Sequence, residues 1–241
     1  KLSKSTIMLM GGRGQRLSNI TKSKPFLRVN TKPIFKNVFE RLNSSEKIII
    51  TNKNFQKKLN NKKFSLFITE QTNSMFETVY LSKKYLTKKF NYFLTSCDCF
   101  GIFNSNHLKN FLVKNKKDLV YFAFNFSYFQ KSLGNSHSII LRDNKNNIKI
   151  KVKSPFNGTG YGHAGYFWIK NPKVFEFLNY FKKSRIFKNI KREVLLDDYL
   201  KFLVDKKLIS SNYYLLDNYI HIGSKKEYRE HCYWNNYFNE K

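Results

Sequence analysis

Glycine and fixed cations cluster near the start of the chain. Met10-Gly11-Gly12-Arg13-Gly14-Gln15-Arg16-Leu17 is followed by Thr21-Lys22-Ser23-Lys24-Pro25, and three of the ten glycines fall within four positions. Glycine lets a backbone bend sharply and approach a ligand closely. The segment follows the apolar run Thr6–Met10. A turn there lines up amide N–H groups as an anion nest at the carboxyl end of a strand, where open α/β sheets bind ligands. Arg16 and Lys24 add positive charge, so the chemistry indicated is phosphate binding. Two common phosphate motifs are excluded. A P-loop ends in Gly-Lys-Ser/Thr, whereas Gly14 is followed by Gln15-Arg16. The dinucleotide pattern GxGxxG fails because Leu17 stands in place of the third glycine.

A second chemical position is Asp98, which closes the apolar run Phe93-Leu94-Thr95-Ser96-Cys97. A carboxylate at the end of a parallel strand, facing the nest, can hold Mg²⁺ while phosphate oxygens and waters complete the octahedron. The competing reading is a helix N-cap or a surface Asp. His221 is a poor Mg²⁺ ligand, because that ion prefers oxygen. Asp217, Asp197 and Asp198 are substitutes on paper, but each is read first as an exposed helix or loop carboxylate. The alternating glycines of Asn157-Gly158-Thr159-Gly160-Tyr161-Gly162 suit a cover over a ligand as well as a plain loop.

These groups need a scaffold. Runs at Thr6–Met10, Lys47–Thr51, Phe64–Thr69 and Tyr92–Ser96 read as short buried strands. Helical patterns over Ile34–Leu42, Phe55–Leu59, Met75–Leu86 and His107–Lys114 alternate with them. Strands separated by helices imply β-α-β units, hence an α/β fold with a doubly wound, mostly parallel sheet. The second half changes character. Leu119–Tyr128 and His163–Ile169 read as strands, and Ser138–Leu141 and Ile148–Val152 as a hairpin around Asp143-Asn144-Lys145-Asn146. Helices are expected at Pro172–Phe181 and Glu193–Lys206, with short strands at Tyr213–Leu216 and Tyr219–Ile222. Ser224 then caps a last helix, with Glu227 completing a capping box. A smaller antiparallel β portion is therefore expected in the second half. We read a single domain over 1–241, with its two halves at 1–117 and 118–241.

Composition bounds the class. The chain has 241 residues, 41% hydrophobic and 25% charged, which is ordinary globular usage. No run of about 18 apolar residues occurs, so no transmembrane helix is expected. The formal charge is +29. The lysines are scattered without a block of like charges, and no RNA- or DNA-binding motif accompanies them, so neither a nucleic-acid nor a membrane partner is expected. Cys97, Cys99 and Cys232 make an odd count without a CxxC. They read as free thiols in a reducing, cytoplasmic setting. Trp168 and Trp234 are most simply core. The chain opens at Lys1 and enters a strand almost at once, which reads as an excised or processed start without a signal peptide.

Taken together, the segment Gly11–Leu17, Thr21, Lys24-Pro25 and Lys32-Pro33 resembles the signature of the sugar-1-phosphate nucleotidyltransferases, the sugar-phosphate pyrophosphorylase-like family. It departs from that signature at Gln15, where the family has Ser or Thr, and at Asn19-Ile20, where a Pro is usual. Phe93–Asp98 resembles the strand ending in the family's metal-binding Asp. Lys153-Ser154-Pro155 is similar to its Glu-Lys-Pro segment without the Glu. His163–Trp168 resembles the next strand, Glu193–Asp198 a late acidic segment, and His221–Tyr228 the closing Asp-Ile-Gly-Thr-Pro-x-x-Tyr, with His221 in place of Asp.

The resemblance implies a Rossmann-like nucleotidyltransferase fold and Mg²⁺-dependent transfer of a nucleotidyl group from a nucleoside triphosphate to a sugar 1-phosphate, as in building surface polysaccharide such as capsule or lipopolysaccharide. It implies Arg16 and Lys24 as catalytic residues, and Gly11, Gly12, Gly14, Glu70, Gln71 and Ser74 around the nucleotide. Lys153, Gly165, Glu193 and His221 would contact the acceptor, and Asp98 the metal. A cytidylyltransferase acting on a non-sugar phosphate (phosphocholine, a phospho-amino acid or a polyol phosphate) stays open, as does a catalytically weak nucleotide-binding relative. A homo-oligomer or a fused partner domain also stays open.

Overall fold

The computed structural model describes residues 2–12, 24–29, 32–59, 63–127, 131, 137–144 and 147–239, with side chains to Tyr233 in the last helix. The strands in chain order are β1 (Ser5–Met10), β2 (Arg28–Val29), β3 (Lys32–Pro33), β4 (Glu46–Asn52), β5 (Ser65–Thr69), β6 (Tyr92–Ser96), β7 (Cys99–Ile102), β8 (Leu119–Phe124), β9 (Ile139–Arg142), β10 (Ile148–Lys151), β11 (Tyr161–Ile169), β12 (Ser211–Leu215) and β13 (Asn218–His221). Nine of them form one sheet along the path β10-β9-β11-β6-β1-β4-β5, with β8 paired to both β11 and β12.

The block β5-β4-β1-β6 is parallel. β1 at its centre is buried along its whole length, the pattern of a strand covered on both faces. Its side chains alternate between two cores. Met8 and Met10 join the Ile34–Leu42 helix, Leu108 and Leu112 on one face. Ile7 and Leu9 join Phe76, Val79, Phe181 and Tyr199 on the other. Helices therefore cover both faces, as expected for double winding. Each fully buried Phe or Leu in these layers contributes ~1.5–3 kcal/mol.

The antiparallel strands of the second half extend this same sheet. β11 pairs antiparallel with β6, β8 and β9, so the two halves share one continuous ladder. A separate pair, β7 with β13, stands off the sheet. No pattern along the chain announced β7, which follows Asp98 at once. Tyr166 fastens it, accepting from the Gly101 N–H at 2.8 Å and donating to the Cys99 carbonyl at 2.6 Å.

Several expected elements are shorter. The Met75–Leu86 helix breaks at Ser82, whose hydroxyl donates to the Thr78 carbonyl at 2.6 Å and competes with the helix ladder. Pro172–Phe181 divides into a one-turn 3₁₀ segment, Pro172–Phe175, and a helix from Leu178. The late helix begins at Leu196, because Asp198 turns back to accept from the Leu195 N–H at 2.8 Å. The expected strand at Leu119–Tyr128 ends at Phe124. Among the described residues no helix is long and apolar enough to cross a membrane.

Candidate active site

Asp98 sits in the turn between β6 and β7, at the carboxyl end of the parallel block. Its backbone is pinned by the Ile222 N–H, which donates to the Asp98 carbonyl at 2.9 Å. Lys24 opens the one-turn helix Lys24–Phe26, and its Nζ pairs with Asp98 Oδ2. Both residues are 8% exposed. His221 Nε2 lies 3.6 Å from the same oxygen. Burial pushes the Asp98 carboxyl up, but the Lys24 ammonium and His221 outweigh it and hold the group well below the usual carboxylate range. Asp98 is thus neither an N-cap nor a surface residue. It is a buried anion held between two nitrogen donors.

Two cavities meet at this carboxylate. The larger, about 360 Å³, is walled by Gly11, Gly12, Lys24, Ser74, Thr78 and Asp98 among others. Gly11 closes one side, where its carbonyl accepts from the Thr72 N–H at 3.1 Å and from Asn52 Nδ2 at 3.0 Å. Ser74 caps the Met75–Leu81 helix, accepting from the Glu77 N–H at 3.1 Å. Of the residues expected around the nucleotide, Gly11, Gly12 and Ser74 line this cavity, and Glu70 and Gln71 are exposed and outside its walls. Asn73 lines it in their stead. The loop thus borders the cavity through Asn73 and Ser74. Gly14 and Arg16 lie outside the described residues.

The smaller cavity, about 170 Å³, lies on the other side of Asp98 and shares Met75, Ser96 and Glu193 with the first. Lys153, Gly165, Glu193 and His221, expected at the acceptor, are all in its wall. Gly165 occupies φ +71° at an irregularity in β11, where a Cβ would lie 3.0 Å from Cys99 Sγ. Lys153 also adopts a left-handed backbone, φ +46°. Such a conformation in a residue with a side chain costs ~1–3 kcal/mol and clusters at ligand sites.

Two buried imidazole–carboxylate pairs brace this wall, and neither was legible beforehand. His163 Nδ1 lies 3.1 Å from Asp197 Oδ1, and the Ser138 hydroxyl donates to Asp197 Oδ2. Burial pushes the Asp197 carboxyl up, but His163 and Ser138 overcome it and bring the pKa to about 2. The reading of Asp197 and Asp198 as exposed is corrected: Asp197 lines the cavity, and Asp198 is buried against Arg192 at 2.7 Å. Asp217 is exposed, as read. In the second pair, His221 Nδ1 lies 2.6 Å from Glu227 Oε1. Glu227 Oε2 accepts from the Gly223 N–H at 3.1 Å, and the Glu227 N–H donates to Ser224 Oγ at 3.3 Å. The capping box expected at Ser224 therefore also steers His221. Burial pulls the His221 pKa down, but Asp98 and Glu227 raise it above the ordinary histidine value. Gly223 leaves room for the ring, since a Cβ there would lie 2.5 Å from His221 Nε2.

The donor set at the seam suits Mg²⁺. That ion is commonly held by one or two carboxylates with substrate phosphates and waters. Asp98 supplies a buried carboxylate where the cavities meet, and Glu193 is a second carboxylate in both walls. The residues fit a hard cation whose remaining ligands come from substrate. Of the cysteines, Cys99 is buried and Cys97 half-buried, both as free thiols. Trp168 is core, and the Trp234 side chain lies outside the described residues.

Residues 5–123 match the family model described as nucleotidyl transferase. No curated protein is matched by the sequence. Among solved structures, the inositol-1-phosphate CTP transferase from T. maritima superposes with a TM-score of 0.72 at 18% identity, over 94% of this chain and 92% of that one. The nucleoside-diphosphate-sugar pyrophosphorylase from Vibrio cholerae RC9 gives 0.69 at 16% identity, over 94% and 99%. At such identities the likeness is one of fold.

Proposed function

Residues 5–123 being a nucleotidyl transferase domain, we propose that the protein transfers a nucleotidyl group from a nucleoside triphosphate to a phosphate monoester, releasing pyrophosphate. The observation that carries this reading is the meeting of two cavities at Asp98, one bordered by Gly11 and Gly12, the other by Lys153. The 1–117 half would bind the nucleotide and the 118–241 half the acceptor.

In this reading an acceptor phosphate oxygen attacks the α-phosphorus in line, and the pyrophosphate oxygen leaves with the bonding pair. Alignment and charge neutralisation carry such a reaction. Gly11 and Gly12 border the triphosphate and let it approach the backbone. Lys24 leaves Asp98 for the α-phosphate and offsets the charge that grows there. Arg16, whose guanidinium suits a forked phosphate contact, holds the leaving pyrophosphate. Lys153 orients the acceptor phosphate, and its backbone conformation projects it from the end of β10. Asp98 would hold Mg²⁺, which supplies Lewis-acid neutralisation of the phosphate oxygens when bound. His221, set between its two carboxylates, donates towards Asp98 or an acceptor oxygen.

The acceptor is read first as a sugar 1-phosphate, giving a nucleotide-activated sugar of the kind used for surface polysaccharide. A polyol phosphate is the second reading. The absence of a Glu before Lys153 removes one hydroxyl acceptor, the cavity is small, and the T. maritima relative of the same fold acts on inositol 1-phosphate. Pyrophosphate release should be measured with each common nucleoside triphosphate crossed against sugar 1-phosphates, polyol phosphates and phosphocholine. Release that needs both a triphosphate and a phosphate monoester supports the proposal. Release with no acceptor dependence, or none with any pair, overturns it.

A further inference from the structure

We propose that His137, His221 and Glu227 form a site for a borderline divalent transition metal, of the Zn²⁺ or Co²⁺ class, separate from a hard cation at Asp98. Each offers one ligand atom, and these atoms lie within 4.8 Å of one another. The His137 and His221 rings stand with centroids 5.2 Å apart at 66°. His221 Nδ1 and Glu227 Oε1 are already 2.6 Å apart.

His137 supplies the independent sign. It is 5% exposed, and its Nε2 is buried without a hydrogen-bond partner among the described residues. Leaving such a nitrogen unsatisfied costs ~1–3 kcal/mol. Its ring is set among Phe124, Phe126 and Tyr219, with centroids at 5.2, 6.1 and 5.9 Å. Those rings fix its orientation.

Two imidazoles and a carboxylate are the donor set of Zn²⁺ and its borderline neighbours, whereas Mg²⁺ and Ca²⁺ select oxygen. The metal would take the place of the proton shared by His221 Nδ1 and Glu227 Oε1, and that proton would leave to solvent. Bonds of ~2.0–2.2 Å require the three donors to draw around the ion. The second Glu227 oxygen, held by the Gly223 N–H, fixes the carboxylate plane in the way outer hydrogen bonds orient metal ligands. With three protein ligands a further coordination position stays open, and His137 and His221 both line the smaller cavity. The site would also join the segment before β9 to the first turn of the Lys225–Asn239 helix.

The test is a Co²⁺ titration of the chelator-stripped protein, read by visible absorption. A band saturating at one equivalent, displaced by Zn²⁺ and unaffected by excess Mg²⁺, is expected. His137→Phe, which suits an aromatic setting, and Glu227→Gln should each weaken Co²⁺ at least tenfold, while Asp98→Asn keeps the band. X-ray absorption at the zinc edge of the wild-type protein should count two imidazole ligands, which keeps the test decisive if a variant fails to fold. A featureless Co²⁺ titration, a band untouched by His137→Phe, or one lost only with Asp98→Asn overturns the proposal. None of these readouts depends on nucleotidyl transfer.

Discussion

The two sides of Asp98 are built in different ways. The nucleotide side, as described, is made largely by backbone: Gly11 and Gly12 after β1, the capped start of the Met75–Leu81 helix, and one buried ion pair, Lys24–Asp98. Its parts come from consecutive β-α units, each within a short stretch of chain. The acceptor side is made by side chains from distant elements. Ser138, Lys153, His163, Asp197 and His221 reach it from the ends of five separate segments and are held by His–carboxylate pairs. A backbone cradle suits the phosphates that every nucleoside triphosphate shares. A wall of side chains suits the part of the chemistry that differs between acceptors.

The largest effect expected on this contrast is at the seam. Lys24→Met should lower turnover by about 10³-fold, since fixed donors facing developing charge are worth that much. It should also destabilise the fold by about 3–5 kcal/mol by leaving the Asp98 carboxylate buried without its ammonium. Adding Asp98→Asn should recover most of the stability and none of the activity. Turnover near wild type in Lys24→Met would remove the residue from the catalytic assignment.

Next comes the His221 ring. Gly223→Ala puts a methyl into it, so a loss of about 1–3 kcal/mol is expected from overpacking. Turnover should fall by more than the population of folded protein does. Chemical denaturation beside initial rates separates the two, and an unchanged rate per folded molecule would make Gly223 merely structural.

Asp197→Asn should act on the acceptor side alone. KM for the acceptor is expected to rise about tenfold while KM for the triphosphate holds, because losing a hydrogen-bonded charge costs ~1.5–3 kcal/mol. The carboxyl also predicts a pH signature. Its pKa of about 2 when folded lies below the unfolded value near 3.9. Its stabilisation is therefore complete above about pH 4 and disappears as pH falls towards 2, amounting to ~2–3 kcal/mol. Thermal melts across that window should be flatter in Asp197→Asn. Equal slopes in the two proteins would show that the carboxyl is not held as described.

The smallest effects belong to Glu70→Ala and Gln71→Ala, which should change either KM by less than about twofold, as exposed substitutions do. A change of tenfold in triphosphate KM would return the base contact to these positions.

The alternation of buried strands and amphipathic helices was legible because each period is local, while residues 13–23 of the glycine-rich segment lie outside the described residues. Asp98 was legible for the same reason, standing where an apolar strand stops. Asp197 was not. A helix-start carboxylate reads as solvated unless the strand that buries it is known, and His163 arrives from β11, 34 positions away. Glu227 was read as part of a capping box with Ser224, and its N–H does donate to Ser224 Oγ, while its carboxylate accepts from the Gly223 N–H instead. That its other duty is to hold His221 depends on β13 pairing with β7, a strand that no pattern announced.

By itself, then, the sequence determined the alternation of strands and helices in the first half and a carboxylate at the end of a buried strand, since each is a pattern within a few residues of chain. Only the tertiary structure decided that the second half joins the same sheet and carries buried His–carboxylate pairs. It likewise decided that His137, whose Nε2 has no partner among the described residues, lies beside His221 and Glu227. The physical reason is that a charge's burial, and hence its partner and pKa, is set by which elements pack over it, and that packing couples residues whose spacing along the chain carries no trace of the contact.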